Sequence, residues 1–445
     1  MFQLRRKDEA GPKGYFAVGL AVVQILGVIG IVHFFLVNHY LPAPFPLDKG
    51  DTFMDLFHSV FWASDPGRYT EWESVYPPLV FVILNGVSSF FLGNATFPDA
   101  FSLRAAGTGI SIAFIVASVL CTQFIFASNL YRDKSLLEKW CYFLFFLGSM
   151  PFLFALERGN LVIFLPPLLA WALLSRGWGR VFAIALMINI KPYCALLLFA
   201  DLIQARPIWF IRTVAVSGII FLVTGMVCDA SFILFIPGLL GFSSADFIFT
   251  PSAVLSMNAS LTGFSYALDW DVAGNLGSPL RQEWQTLLSM GLRVGTLALV
   301  LAAIIGVVRT GRRLSQEQTL AVLVVIILNT SFSFGGYTFV LYAAIFPILA
   351  TMRHGRLLCG LVILIFLPLD LISLQKIPFG LQDVFLSGRI VPVTLTVGLG
   401  VYVRPIADAL ILLTLVMECW GRKWALPWQT QPKLKMPANG LREAR

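Results

Sequence analysis

Charged residues are scarce in this sequence, and their scarcity argues against an ordinary soluble domain. They make up 13% of the 445 residues, whereas apolar residues make up 58%. A soluble domain is about a quarter charged and about half apolar. The excess of apolar residues falls in long runs without charge, such as 15–37, 107–128 and 213–227. The composition therefore predicts several membrane-spanning segments.

The apolar runs also lack the alternation of apolar and polar residues that marks a transmembrane β-barrel. A bilayer core about 30 Å thick needs about 20 apolar residues as helix, and backbone groups in lipid must bond within their own segment. The predicted fold class is therefore all-α, a polytopic membrane helical bundle of about ten to twelve spans. The expected spans are 15–37, 76–92, 107–130, 140–156, 160–175, 179–203, 208–228, 286–308, 318–332, 336–351, 356–374 and 390–418.

Cysteine and histidine are few and carry no recognisable pattern. The six cysteines are scattered without a CxxC pair, and the four histidines have no metal-ligand spacing. We expect the cysteines to be small packing residues and expect no zinc site. No cofactor is predicted, because a pair of outer-loop aspartates is weak support for a divalent ion.

The net charge of +8 lies largely at the two ends of the chain. Basic residues near a membrane span favour the cytoplasmic side, so both termini are expected there, with an even number of crossings. No nucleic-acid partner is predicted. The first apolar run is too long for a signal-peptide core, and we expect it to be retained. The terminal basic residues are Arg5, Arg6, Lys7, Lys13, Arg422, Lys423, Lys433, Lys435, Arg442 and Arg445.

The predicted organisation is one membrane domain over 1–420, followed by a basic cytoplasmic tail over 421–445. Two longer loops, about 38–76 and 229–284, are expected on the outer face. Within the first loop, 52–63 has apolar residues at helical spacing, which predicts an amphipathic helix that could lie in the membrane interface. Basic turns flank 179–203, so this segment is expected to enter the membrane and return.

Polar residues interrupt the apolar pattern at four places. Asp51 and Asp55 lie four residues apart in the first outer loop. They are part of a solvated acidic loop, or helix N-terminal carboxylates favoured by the helix dipole, or they supply a carboxylate base at the membrane surface. The run 157–160, Glu-Arg-Gly-Asn, is either a tight turn with a Glu–Arg pair or a polar corner facing a cavity. Lys191 is either a snorkelling lysine or a phosphate contact. Asn258 begins the motif Asn-Ala-Ser-Leu in the second outer loop. Taken alone, this motif is an ordinary loop sequence.

Taken in order, these elements resemble glycosyltransferase family 87, the polyprenyl-phosphate-mannose-dependent mannosyltransferase-like group of the GT-C superfamily. That family has an early aspartate, then Tyr-Pro-Pro-Leu, a Gly-Gln-x-Asn element, Lys-Pro-Tyr or Lys-Pro-Phe, and Asn-Gln-Ser-Leu. Two elements depart from it: the glutamine of the third is missing, and the late stretch 331–337 lacks the histidine of the family's Trp-x-His element. The corresponding residues here are Phe53 to Phe57, Tyr76 to Leu79, Glu157 to Asn160, Lys191 to Tyr193 and Asn258 to Leu261.

The resemblance implies a GT-C-type bundle in the plasma (inner) membrane with an extracytoplasmic active site. It implies inverting transfer of mannose or another monosaccharide from a polyprenyl-phosphate donor to a glycan or glycolipid acceptor. Asp55 is then the general base, with Asp51 as the second choice, and Lys191 and Arg158 hold the donor phosphate. Tyr76, Glu157, Asn160, Tyr193 and Asn258 are the expected substrate-binding residues.

Three other functions remain open from the sequence. A transporter or flippase of lipid-linked oligosaccharide would favour an inverted repeat and a mid-membrane charged site, and no repeat is visible. A polysaccharide polymerase would favour arginine-rich outer loops, whereas Arg281 is the single cation in 229–283. A purely structural membrane scaffold gives no reason for Asp55, Glu157 and Lys191 near the membrane.

Overall fold

The structure is a computed structural model that describes residues 13–42, 44–45, 52–93, 95–228, 230–241, 282–310, 313–330 and 336–421. These residues are mostly helical. The α-helices are Lys13–Asn38, Met54–Ser64, Pro78–Leu92, Ala100–Ala106, Thr108–Ala127, Leu136–Leu147, Met150–Arg158, Leu165–Leu174, Trp178–Ile190, Phe199–Ile203, Pro207–Cys228, Phe235–Gly241, Gln282–Thr310, Gln316–Thr330, Tyr342–Leu349, Gly355–Phe366 and Gly400–Trp420. Short 3-10 helices are Pro66–Tyr69, Asn129–Tyr131, Leu161–Phe164, Pro192–Leu198, Ala230–Leu234, Gly336–Leu341 and Leu369–Leu371.

Within the described ranges, five helices are long and apolar enough to cross a membrane. A sixth candidate is the pair Leu136–Leu147 and Met150–Arg158, which is bent by 56° at its break. The prediction of a mostly helical chain with helices able to span a membrane is therefore confirmed, while the count of ten to twelve spans and the GT-C arrangement stay predictions. The five helices are Gly14–Asn38, Thr108–Ala127, Pro207–Cys228, Thr286–Thr310 and Gly400–Trp420.

Most of the long helices expose their apolar side chains, as lipid-facing helices do. Leu26, Ile29 and Leu36 of the first helix are each more than half exposed. Apolar surface of this extent is rare on a soluble monomer and indicates a membrane or protein neighbour. Gly400–Trp420 differs, because it packs closely against its neighbours and is mostly buried.

Shorter helices form the interior of the bundle. Gln316–Thr330 is buried along almost its whole length, and Leu165–Leu174 and Tyr342–Leu349 are buried over most of theirs. A helix that is apolar on every side is expected in such a position. The segments predicted as spans at 160–175, 318–332 and 336–351 thus contain helices of the protein interior, each shorter than 18 residues, and their assignment as spans stays a prediction.

The segment 179–203 enters the bundle and returns, as its flanking basic turns predict. Gln316 donates a hydrogen bond of 2.7 Å to Asp201, and Arg180 lies 3.7 Å from the neighbouring Glu317. Arg180 and Asp201 are thus at one end of the bundle. Lys191 lies midway between them in sequence, about 17 Å from Arg180 at the helical rise per residue. It follows directly on the helix Trp178–Ile190.

A β-hairpin departs from the all-α prediction. Ser373–Val384 pairs with Arg389–Gly398 in an antiparallel ladder, so the helix expected over 390–418 begins only at Gly400. β-branched residues are frequent in the second strand, and Gly388 adopts the φ of 61° that its turn requires. The hairpin packs on the end of the first helix, where Tyr40 accepts a hydrogen bond of 3.1 Å from the backbone of Thr394.

The predicted helix at 52–63 is present as Met54–Ser64, but its apolar face is buried in the protein rather than laid on the membrane interface. Phe57 is fully buried and Leu56 is 2% exposed. This face packs against Pro78–Leu92 and Ala100–Ala106. In the second predicted loop, 230–241 is helical, while 242–281 and the tail 422–445 lie outside the described residues.

Candidate functional site

Asp55 stands in the first turn of the helix Met54–Ser64, after a constrained entry. Phe53 precedes the helix at a φ of 59°, a left-handed conformation that costs an L-residue about 1–2 kcal/mol. Its N–H donates a hydrogen bond of 2.7 Å to the carbonyl of Glu157. Backbone strain of this kind persists where surrounding contacts impose it, often at functional sites. The position of Asp55 is therefore fixed by the corner at 157–160.

Both oxygens of the Asp55 carboxylate accept hydrogen bonds from that corner. Arg158 Nη2 lies 2.7 Å from Oδ1, and Asn160 Nδ2 lies 2.6 Å from Oδ2. The Arg158 side chain is 8% exposed and that of Asp55 is 19% exposed. A charge-assisted bond to one oxygen and an amide bond to the other hold the carboxylate in one orientation. Its partial exposure leaves the carboxylate accessible to a ligand.

The corner itself is shaped by Gly159 and Asn160. Gly159 ends the helix Met150–Arg158 at a φ of 68°, which glycine adopts without steric cost. A Cβ at this position would lie 2.7 Å from Cβ of Leu56, so only glycine lets the two segments approach. Asn160 Oδ1 accepts a hydrogen bond of 3.0 Å from the backbone of Val162. That bond turns the amide nitrogen of Asn160 toward Asp55.

Lys191 reaches the same place from the break between two helical segments. It follows Trp178–Ile190 and precedes Pro192, whose missing N–H interrupts the helix. Its Nζ donates a hydrogen bond of 3.1 Å to the hydroxyl of Tyr76 and lies 4.3 Å from the centroid of that ring. Tyr76 thus supplies Lys191 with both an oxygen acceptor and an aromatic face.

Tyr76 connects Lys191 to Asp55. Burial raises the pKa of Tyr76 above its ordinary range, and the negative charge of Asp55 raises it further. The hydroxyl therefore stays protonated and accepts from Lys191 as a neutral phenol. Ser59, one helical turn after Asp55, also hydrogen-bonds Tyr76. Because Asp55 also acts electrostatically on Lys191 and Tyr337, these groups form one cluster.

Most of the residues predicted from the sequence meet in this cluster. Tyr193, two residues after Lys191, lies near Tyr76 and Tyr337. Glu157 contributes its backbone carbonyl to Phe53, and its side chain is 8% exposed. The two remaining predicted residues, Asp51 and Asn258, lie outside the described residues. The roles proposed for all of them stay predictions.

Three residues of the site were not predicted. Ser59 could have been found from helical periodicity, because it shares a face with Asp55. Tyr337 ends the late stretch 331–337, and its ring centroid lies 5.5 Å from that of Phe154. Arg104 gave no sequence signal, since it is an isolated arginine in a short helix.

Arg104 holds the segment that precedes Asp55 in place. Its Nη1 donates a hydrogen bond of 2.7 Å to the carbonyl of Thr52, and its guanidinium lies 3.8 Å from the ring centroid of Phe385. Phe385 belongs to the turn of the β-hairpin, between its two strands. The hairpin is thereby connected to the segment that carries Asp55.

The cluster combines a carboxylate, two cations and several phenols near the end of a helical bundle. A carboxylate of this kind can accept a proton from a hydroxyl, and a buried ammonium can bind an anion such as phosphate. Among the residues that the structure describes, no three His, Cys, Asp or Glu side chains are placed together to hold a metal ion.

Comparison of the chain with protein-family models, curated proteins and solved structures gives no match.

Proposed function

We propose that this protein is a membrane glycosyltransferase that uses a polyprenyl-phosphate sugar as donor. It transfers mannose or another monosaccharide, with inversion, to a lipid-linked or cell-envelope glycan on the extracytoplasmic face of the plasma (inner) membrane. The observation that carries the proposal is the hydrogen bond from Lys191 to Tyr76, a tyrosine that also lies within electrostatic range of Asp55. Two groups of opposite charge, 136 positions apart in sequence (191 − 55), are thereby available to one substrate.

The proposed reaction needs one base and one anion-binding cation. The acceptor hydroxyl attacks the anomeric carbon, the bond from that carbon to the phosphate oxygen breaks, and polyprenyl phosphate leaves. The hydroxyl proton passes to Asp55 as general base. Polyprenyl phosphate is a weak base, so it leaves without a proton donor. Its negative charge needs a fixed cation, which Lys191 supplies.

The remaining residues have supporting roles in the proposal. Arg158 positions Asp55 through the hydrogen bond of 2.7 Å from its Nη2. Its other guanidinium nitrogens contact the donor phosphate. Tyr76, Glu157, Asn160, Tyr193 and Asn258 line the sugar or acceptor pocket, and Asp51 is the second choice of base. The motif order resembling glycosyltransferase family 87 supports this assignment, as do the broken helices at Gly159 and Pro192.

A transporter or flippase of lipid-linked oligosaccharide is the second candidate. Interrupted helices with a buried lysine also occur where transporters bind anionic substrates. The break after Ile190 therefore fits either function. The two differ in one respect that can be measured, because a transporter moves its substrate unchanged whereas a transferase forms a new glycosidic bond.

The decisive experiment supplies the full chain in lipid nanodiscs with a panel of polyprenyl-phosphate sugars and glycan acceptors. Asp55→Asn keeps the shape of the side chain and is expected to lower product formation by about 100-fold or more, because it removes the base. Asp99→Asn is the matched control, since Asp99 caps the helix Ala100–Ala106 and asparagine caps equally well.

Two outcomes would contradict the proposal. Undiminished transfer by Asp55→Asn would remove this residue from the role of base. Movement of lipid-linked sugar between leaflets without any covalent product, for every donor tested, would favour the transporter. Equal loss of activity in Asp99→Asn would point to misfolding in place of lost catalysis, and unfolding temperatures of both variants would identify that case.

A further inference from the structure

Three aromatic rings form a column, two of them on the helix that carries Asp55 and the third in the segment that follows it. The His58 and Trp62 rings stack with centroids 5.5 Å apart and an interplanar angle of 29°. The Trp62 and Trp72 rings stack at 6.4 Å and 25°. Phe61 packs edge-on against Trp72 at 5.9 Å. We call these four residues the tryptophan platform. Its outermost ring, Trp72, is 40% exposed.

Trp72 is held in one orientation although it is exposed. Its Nε1 donates a hydrogen bond of 3.0 Å to Asp65 Oδ2. The other carboxylate oxygen of Asp65 accepts a bond of 2.7 Å from the backbone of Gly67. An exposed indole ordinarily moves among rotamers, so a ring fixed by stacking and by a hydrogen bond is preorganised for contact with a ligand.

The centre of the column carries a hydrogen-bond donor. Nε1 of Trp62 is buried and has no hydrogen-bond partner among the residues that the structure describes. Buried polar groups are nearly always paired, and an exception calls for an explanation. An oxygen acceptor supplied by a bound ligand would satisfy this donor.

The platform is placed to serve the candidate site. Trp62 follows Asp55 by seven positions, which brings it to the same side of the helix about two turns away, at a distance of about 10 Å. Ser59 lies between them on this face and contacts Tyr76 of the site. A short oligosaccharide chain that presents its terminal hydroxyl to Asp55 would therefore reach the platform with a neighbouring sugar unit.

The charges around the platform favour a glycan over the membrane surface as its occupant. Tryptophan also anchors proteins at the membrane interface, so the distinction matters. Glu71 and Glu73 are exposed on either side of Trp72, and Asp65 is bonded to it. Three carboxylates oppose an anionic bilayer surface, yet they are good acceptors for sugar hydroxyls.

We propose that the tryptophan platform binds a pyranose unit of the glycan acceptor, with the apolar face of the sugar on the ring of Trp72. The C–H groups on that face carry a partial positive charge and pack on the negative face of an aromatic ring. The carboxylates of Asp65, Glu71 and Glu73 accept hydrogen bonds from the sugar hydroxyls. The assignment of this glycan as an acceptor rests on the proposed transferase function, whereas the binding itself does not.

The test measures binding of neutral pyranose oligosaccharides to the full chain in nanodiscs, without donor, by isothermal titration and saturation-transfer NMR. Trp72→Ala is expected to weaken binding about tenfold, and Trp72→Phe, which keeps an aromatic ring, by about threefold or less. The matched control is Trp140→Ala, because Trp140 is 45% exposed and lies on another helix. The control should bind like the wild type.

Two outcomes would overturn the assignment of the platform as a glycan-binding site. One is wild-type binding by Trp72→Ala. The other is strong fluorescence quenching by brominated lipids that disappears in Trp72→Ala, because it would place Trp72 in the membrane. The proposed reaction fails separately: if no donor supports transfer but binding still depends on Trp72, the platform stands and the transferase assignment does not.

Discussion

Arg158 and Asp55 form an ion pair of 2.7 Å although 103 positions separate them in the chain. The pair joins the helix Met54–Ser64 to the corner at 157–160. Asn160, from the same corner, donates a hydrogen bond to the other carboxylate oxygen of Asp55. The carboxylate and its two donors therefore form one unit, and its geometry depends on how closely the corner approaches the helix Met54–Ser64.

Replacement of Arg158 tests that unit. Arg158→Met leaves Asp55 without its cation, and breaking a mostly buried pair costs about 3–5 kcal/mol, with the low end expected because Asp55 is partly exposed. Transfer should fall by about 100-fold, because the base loses its fixed orientation. Arg158→Lys keeps the charge but not the paired geometry, so it should retain intermediate activity. Thermal unfolding in nanodiscs and product assays measure both effects, and wild-type values for Arg158→Met would refute the positioning role.

Gly159→Ala should separate the corner from the helix that carries Asp55. The added Cβ would lie 2.7 Å from Cβ of Leu56, in addition to the strain of a φ of 68°. Gly93→Ala is the matched control, since Gly93 has a φ of 62° and open space around the added atom. The control should cost about 1–3 kcal/mol, because a φ of 62° with a ψ of −133° is a backbone conformation that an L-residue rarely adopts.

The variant at Gly159 should cost more than the control at Gly93 and should also lower transfer. Chemical or thermal unfolding of both proteins gives the comparison. Equal destabilisation, with transfer preserved in Gly159→Ala, would mean that the close approach of the corner has no bearing on the site.

Lys191 is expected to set the affinity for the donor. Lys191→Met removes the cation proposed to bind the phosphate, so the donor KM should rise at least tenfold, with a smaller effect on the acceptor KM. Tyr76→Phe removes the hydroxyl that accepts from Lys191 and keeps the ring 4.3 Å below the ammonium, so its effect should be milder. Lys376→Met is the control, because Lys376 is exposed on the hairpin.

Kinetics with the donor and the acceptor varied separately provide the measurement. A rise in the acceptor KM alone in Lys191→Met would reassign the lysine to the acceptor side. An unchanged donor KM would remove it from the phosphate site.

The sequence predicts the long apolar helices well, because length and hydropathy alone identify a candidate span. It predicts the interior less well. The second strand of the hairpin, Arg389–Gly398, is apolar enough to be taken for the start of a span, and only its β-branched residues and the turn glycine before it distinguish it. The helices Gln316–Thr330 and Tyr342–Leu349 are apolar because the protein surrounds them, which a hydropathy pattern cannot distinguish from lipid.

The candidate site was likewise predictable only in part. Asp55, Asn160 and Lys191 were predictable, because a polar residue between apolar runs is conspicuous in the sequence. That Arg158 pairs with Asp55 was not, since Glu157 is its nearest carboxylate in the sequence and Asp55 lies 103 positions away. The contact of Arg104 with Phe385 depends on a hairpin that hydropathy does not reveal, so no sequence pattern could place it beside the loop of Asp55.

The buried pair of Arg404 and Asp370 should stabilise the fold without taking part in the reaction. Arg404 Nη1 lies 2.8 Å from Asp370 Oδ1, Nη2 bonds the second oxygen, and Nε donates to the carbonyl of Ile365. Both side chains are almost completely buried, at 5% and 0% exposure. The pair joins the base of the hairpin to the helix Gly400–Trp420.

Removing one partner leaves an uncompensated buried charge, so Asp370→Leu and Arg404→Met should each cost about 3–5 kcal/mol. The double variant replaces both charges with apolar groups of similar size and should cost less than the sum of the single changes by about 2 kcal/mol or more. Unfolding free energies of the four proteins give this coupling, and transfer by the double variant should stay near the wild-type rate. Additive losses would show that the two charges do not stabilise each other. Loss of transfer in a double variant that unfolds like the wild type would instead connect this pair to the chemistry at Asp55.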